Sequence, residues 1–276
     1  MDLELFHIFR NTSLGRETLL QSAYFCKKVG LLPFIYIPKH LKLIMYFENN
    51  AIQIDLDHSF LNAPETAREH ATDIIRSQGL PDPKFFEPQN FTASTLPDMP
   101  VNFDYMCCPR IISDLSSKIG LGSIGRQVRG IIHSARFPVL IPCAVYKEWQ
   151  SIVVFFGGSA NALKALRLGL WLARATRLPI DVFTQRETHD KKYYESIVED
   201  EGLRPEMDKR VREWMFFESD DFINNLYEVP HDALAVVGAY GHGVIRDVLF
   251  GNTLEKIQTQ LPNNLLIVGP YYRTEL

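Results

Sequence analysis

The chain has 276 residues, 46% of them hydrophobic and 22% charged, and its 29 basic against 33 acidic side chains give a formal charge of −4. That balance argues against general nucleic-acid affinity, which needs a basic surplus to displace phosphate counterions, and no apolar run reaches the ~18 residues of a membrane span. The start, MDLELFHIFRN, lacks the basic stretch and long apolar core of a secretory signal, and Cys26, Cys107, Cys108 and Cys143 show no CxxC spacing. Buried reduced thiols in a soluble cytoplasmic protein of one large domain or two ordinary ones are therefore expected.

In chain order, Leu3 to Phe9 reads as a short buried strand. Arg16 to Val29 carries apolar residues at helical spacing with Gly30 as its C-cap, and Leu32 to Ile37 is a second strand. This is β-α-β with about thirty residues per unit, the pattern of a parallel sheet with crossover helices. KLIMYFENNAIQIDLD, from Lys42, reads as two strands joined at Glu48-Asn49-Asn50, a hairpin inserted into the alternation. Pro64 to Ser77 is a helix with Pro in its first turn and Gly79 behind it. Lys84 to Ala93 is a weak strand, and TLPDMP is too short and proline-rich for a helix, so one crossover is expected to be reduced. Phe103 to Cys108 is a strand, Gly122-Ser123 precedes a helix to about Ser134, and Pro138 to Val145 closes the half.

The polar run Tyr146 to Gln150 marks a boundary, placed at 147/148, after which the order repeats. Ser151 to Phe156, Leu178 to Thr184, Arg212 to Phe217, Ala233 to Gly238 and Leu265 to Gly269 read as strands. Between them lie helices from Asn161 to Thr176, from His189 to Glu201, and from a cap at Ser219-Asp220-Asp221 to about Tyr227. Gly122-Ser123 and Gly251-Asn252 occupy matching places, each before a helix and a last strand. An internal duplication with about 135 residues per copy is the simplest account. The fold class expected is α/β, with two tandem doubly wound parallel five-stranded sheets and a β-hairpin insertion in the first. Open parallel sheets bind ligands outside the carboxyl ends of their strands, where the strand order reverses. The loops after strands one and four of the second half should meet there.

One stretch, VVGAYGHGVIRDVLFGNT from Val236 to Thr253, concentrates the candidate chemistry. A strand end, a glycine-rich turn and a helix start fall close together, and exposed backbone N–H groups at a helix N-terminus suit an anion such as phosphate. The N–H groups of Gly241, His242, Asn252 and Thr253 are the expected cradle. Four neutral donors to a charged acceptor contribute about 1.5–3 kcal/mol each before desolvation, consistent with affinity of about micromolar order. Gly158, Ser159 and the ends of strands one and two would frame a ribose and base, with Val182 against the ring. No paired carboxylates, Ser-His-Asp set or metal-ligand cluster accompanies the loop. His242 and Arg246 flank it, each either a contact to terminal phosphates or, the commoner outcome, a solvated side chain.

On these residues the chain resembles a tandem universal stress protein. The mark of that family's nucleotide-binding members is G-x-x-G, nine residues, then G followed by Ser or Thr. Gly238, Gly241 and Gly251 keep the spacing, with Asn252 at the hydroxyl position and Thr253 one place on. The resemblance covers the second half and, more weakly, the first. It implies an adenine-nucleotide α-hydrolase-like fold, ATP as the ligand (AMP and cyclic AMP not excluded), and homodimers along the last strands. It assigns the site to Gly157, Gly158, Ser159, Val182, Val237, Gly238, Gly241, His242, Gly251, Asn252 and Thr253. ATP-binding members carry Asp after strand one, in D-G-S, where this chain has Gly157-Gly158-Ser159. In the first half Pro109 and Ile112 stand at the glycine places. Residues 1–147 are thus expected to be a degenerate, structural copy, and residues 148–276 the nucleotide-binding one.

Two other motifs are set aside. Gly120 to Gly125 matches G-x-G-x-x-G but does not directly follow its strand, as a dinucleotide fingerprint must. Gly157-Gly158 sits where ATP pyrophosphatases carry S-G-G-x-D-S, but Phe156 replaces the first Ser and the Asp is missing. The function expected is stress-response regulation by nucleotide binding rather than turnover. The alternatives are an ATP-consuming enzyme that splits the α–β phosphate bond and a ligand-free scaffold docking an unidentified protein through the Glu48–Asn50 hairpin.

Overall fold

The computed structural model describes residues 3–93, 95–110, 112, 124–186, 189–218, 221–240 and 261–273. By internal contacts the chain divides into two units, Met1–Glu148 and Trp149–Leu276.

In the second unit, runs of apolar residues without polar alternation form strands buried on both faces, as parallel sheets require. Every residue of β10 (Ser151–Phe155), β13 (Ala233–Gly238) and β14 (Asn264–Val268) is buried. With β11 (Ile180–Gln185) and β12 (Val211–Phe217) they form an all-parallel run in the order β12-β11-β10-β13-β14. Helix α4 (Ala160–Thr176) packs along β10, β13 and β14. Gly169 makes that contact close, since a Cβ there would stand 2.3 Å from Val154 Cγ2. Helices α5 (Lys191–Asp200) and α6 (Arg204–Arg210) lead into β12, and α7 (Phe222–Asn225), capped by the Asp221 carboxylate, precedes β13.

The first unit repeats this scheme with β1 (Glu4–Ile8), β2 (Leu32–Tyr36), β5 (Lys84–Phe86), β8 (Tyr105–Cys107) and β9 (Val139–Ile141), in the parallel order β5-β2-β1-β8-β9. Helix α1 (Ser13–Val29) begins three residues earlier than its apolar spacing suggests. Thr12 is the N-cap, accepting from the Gly15 N–H at 3.1 Å, and Gly30 closes the helix in the left-handed region at φ 83°. Helix α2 (Pro64–Ser77) buries only Ala67, Ala71 and Ile75, a stripe at i, i+4, i+8 that lies on Leu19 and Ala23 of α1.

The insertion is larger than the expected hairpin. β3 (Lys42–Phe47) and β4 (Asn50–Asp55) pair antiparallel, and β7 (Leu96–Met99) and β6 (Phe91–Thr92) extend them into a four-stranded sheet, β4-β3-β7-β6. The stretch expected as one strand from Lys84 to Ala93 breaks at Pro88, one part joining β2 and the other this second sheet. TLPDMP is therefore a strand and not a shortened crossover. Its Pro97 lies outside the two parallel pairs, Ile44 with Asp98 and Met45 with Met99, so the missing N–H costs the ladder nothing there. Helix α3 (Arg126–Ser134) packs on β4, with Gln127 donating to Asp55 at 3.2 Å and Gly130 set against Ile52.

All four cysteines are free and buried. Burial pushes the Cys107 thiol up to about 12 and those of Cys26 and Cys108 well above the ordinary thiol range. Among the described residues no helix is long and apolar enough to cross a membrane.

Candidate functional site

The second unit's strand order reverses between β10 and β13. The chain runs outward from β10 through β11 to β12, then returns to the other side of β10 as β13. The two loops leaving these strands meet at the carboxyl edge of the sheet. Asn161, in the first turn of α4, is buried and donates from Nδ2 to the Ala239 carbonyl. A Cβ on Gly238 would lie 2.2 Å from the Asn161 carbonyl oxygen and 2.7 Å from the Ala162 nitrogen. Helix backbone therefore occupies the space that the glycine leaves. The Ala239 N–H donates to the Val268 carbonyl at 2.7 Å, and Tyr240 follows in the left-handed region at φ 58°.

The loop after β10 is held from the other side. Thr184 is fully buried, donates to the Phe156 carbonyl at 2.8 Å, and accepts from Trp214 Nε1 at 2.9 Å. Gly158 has φ 74°, and a Cβ on it would come within 3.0 Å of Ile197 in α5. Ser159 caps α4, its side chain accepting from the Ala162 N–H at 3.1 Å. These contacts fix the turn Gly157-Gly158-Ser159 with neutral groups alone. The described residues hold no group of three or more His, Cys, Asp or Glu side chains able to bind a metal.

Of the residues assigned to the site, Gly157, Gly158, Ser159, Val237 and Gly238 lie at this edge. Val182 is fully buried in the middle of β11, between Val154 and Trp214 in register. Gly241, His242, Gly251, Asn252 and Thr253 lie outside the described residues, as do Arg246 and the first-half pair Gly122-Ser123. The reading from sequence missed Asn161, Thr184 and Trp214. A polar residue two places after a Ser N-cap and a Thr inside an apolar strand were their only signals.

The corresponding edge of the first unit is built otherwise. Asn11, just past β1, is buried. It donates from Nδ2 to the Ala63 carbonyl at 3.1 Å and to Thr66 Oγ1 at 3.2 Å. Its Oδ1 lies 3.2 Å from Arg16 Nη1 and 2.9 Å from His70 Nδ1. Arg10 stands 5.3 Å above the Phe60 ring and 3.8 Å from the Asp57 carboxylate. Burial holds its guanidinium below the ordinary range, with Asp57 opposing that shift. The chain's own segment from Asp57 to Thr66 thus lies over the end of β1.

Over 222 residues the chain is 22% identical to a curated universal stress protein of Synechocystis sp., a match spanning 76% of this chain and 75% of that protein. The crystal structure of a universal stress protein from Archaeoglobus fulgidus superposes with a TM-score of 0.61 at 16% identity, covering 96% of this chain and 98% of that one. The fold is that of the universal stress proteins. A Pseudomonas aeruginosa protein of unknown function is similar at a TM-score of 0.54 and 10% identity, over 97% of this chain and 92% of its own. No protein-family model matches the chain. The universal stress protein fold thus extends over nearly the whole chain.

Proposed function

We propose that this chain is a tandem universal stress protein with a regulatory role in stress response, acting in the cytoplasm. In this reading the second unit binds ATP or a related adenine nucleotide and the first serves as a structural partner. The observation that carries it is the interlock of Asn161, Gly238 and Ala239. It brings the two loops at the reversal of strand order together, directly before the glycine run whose spacing suits a phosphate cradle.

The chemistry offered is recognition by main-chain amides. Gly157 stands where ATP-binding relatives are expected to carry an aspartate, so phosphate and not ribose supplies most of the affinity. Binding of about micromolar order follows from a few charge-assisted hydrogen bonds less desolvation. Calorimetric titration of the full chain with ATP, AMP and cyclic AMP tests this. Saturable heat with at least one of them supports the reading, whereas no heat and no thermal shift at about 1 mM ligand defeats it. Light scattering on the same sample reads whether two chains pair.

A further inference from the structure

We propose that Asn161 is a positioning residue for the second unit's ligand, acting through the direction in which the chain leaves β13. This rests on the nucleotide reading above and adds to it a side chain that would never touch the ligand.

Ala239 is the last residue before the chain turns away from the sheet, and both of its backbone polar groups are fixed. Its N–H is held by the Val268 carbonyl of β14, and its C=O by the Asn161 carboxamide, 78 positions away in sequence. One residue earlier, Gly238 lets the Asn161–Ala162 backbone fit against the strand. One residue later, Tyr240 sits at φ 58°, a conformation that a residue with a side chain keeps only when its surroundings hold it. The first turn of α4 also carries Ser159, which ends the Gly157-Gly158 turn after β10. One helical turn therefore sets the relative position of both loops. Removing the amide leaves the Ala239 carbonyl buried without its donor and frees the chain direction at Tyr240.

ATP and adenosine affinities, measured on the full chain together with Tm, test the role. Asn161→Ala should weaken ATP about tenfold and leave adenosine within about twofold, because the base and ribose are framed by the loops after β10 and β11. Leu168→Ala opens a cavity farther along the same helix. It should lower Tm at least as much while leaving both affinities unchanged. Unchanged ATP affinity in Asn161→Ala, or equal losses for ATP and adenosine, overturns the proposal. Should Asn161→Ala fail to fold, Asn161→Ser, whose hydroxyl is too short to reach Ala239, is read by the same criteria. A wild-type chain that binds neither compound removes the nucleotide reading and this one together, whereas ATP binding that survives Asn161→Ala removes this one alone.

Discussion

The carboxyl edges of the two units share a strand order and differ in what lies over the first strand's end. In the second unit, five residues separate β11 from α5, and the edge is closed by backbone fitting on backbone at Gly238 and Asn161. In the first unit, the chain between β2 and α2 makes a hairpin and returns from Asp57 to Thr66 across Asn11 and Arg10, which hold it with side chains. The sheet is indifferent to this choice, since its buried strands look alike in both copies. What separates the two edges is the connection between the second strand and the next helix. In the first unit the long connection gives the edge an internal occupant, held by hydrogen bonds from Asn11 to Ala63 and Thr66.

The largest effect should come from filling the backbone contact of the second unit. Gly238→Ala places a methyl group inside the Asn161–Ala162 backbone, which cannot retreat as a flexible side chain would. We expect a loss of about 3 kcal/mol or more. Urea unfolding followed by tryptophan fluorescence reads it selectively, because Trp149, Trp171 and Trp214 all belong to the second unit. A Gly238→Ala chain of wild-type stability would show that the edge is loosely built, and the contrast between the two corners would fail.

The counterpart in the first unit is Asn11→Ala. It removes four hydrogen-bonding contacts and leaves the Ala63 carbonyl and Thr66 without this partner. A loss of about 2 kcal/mol is expected, visible in far-UV circular dichroism and absent from the tryptophan signal. Hydrogen exchange should rise from Asp57 to Thr66 if Asn11 anchors that segment, and unchanged protection there would refute the anchoring. A further outcome sharpens the comparison. If the second unit binds ATP as proposed, the stoichiometry should stay the same in Asn11→Ala, since Pro109 and Ile112 occupy the first unit's glycine places.

These residues also show what could be read before any coordinates. β10 and β13 were legible to within a residue, because a strand buried on both faces is a continuous apolar run with no competing periodicity. TLPDMP reads as a shortened crossover because its prolines argue against a helix. They do not argue against a strand where, as at Pro97, the missing N–H is not used by the parallel pairs. Thr12 and α6 were missed because short polar starts carry little periodic signal. The site divides in the same way. Gly238 is legible by its spacing alone, and the structure shows that the first turn of α4 sits against it. The Asn161–Ala239 and Thr184–Trp214 contacts join residues 78 and 30 positions apart, and nothing local in either partner points to the other.

The smallest expected effect separates the units by pH. His7 in β1 is completely buried, with Nδ1 2.8 Å from Ser22 Oγ, while the Ser22 hydroxyl reaches the Thr18 carbonyl at 3.3 Å. Its other near neighbours include Cys107 in register on β8, a thiol that burial keeps protonated. No carboxylate is hydrogen-bonded to the ring among the described contacts, and burial lowers the imidazole from 6.5 to about 3. Between those values the unfolded chain binds a proton that the folded chain refuses, so stability is complete above about pH 6.5 and falls as the pH drops toward 3. One pH unit below 6.5 the loss is about 1.4 kcal/mol. Unfolding at pH 7.5 and 5.5 should therefore move the circular dichroism transition of the first unit and leave the tryptophan transition of the second in place. His7→Gln, which has no titrating ring, should lower stability at both pH values and flatten the difference between them. If the pH dependence persists undiminished in that variant, another group carries it and the buried imidazole is not what sets the first unit apart.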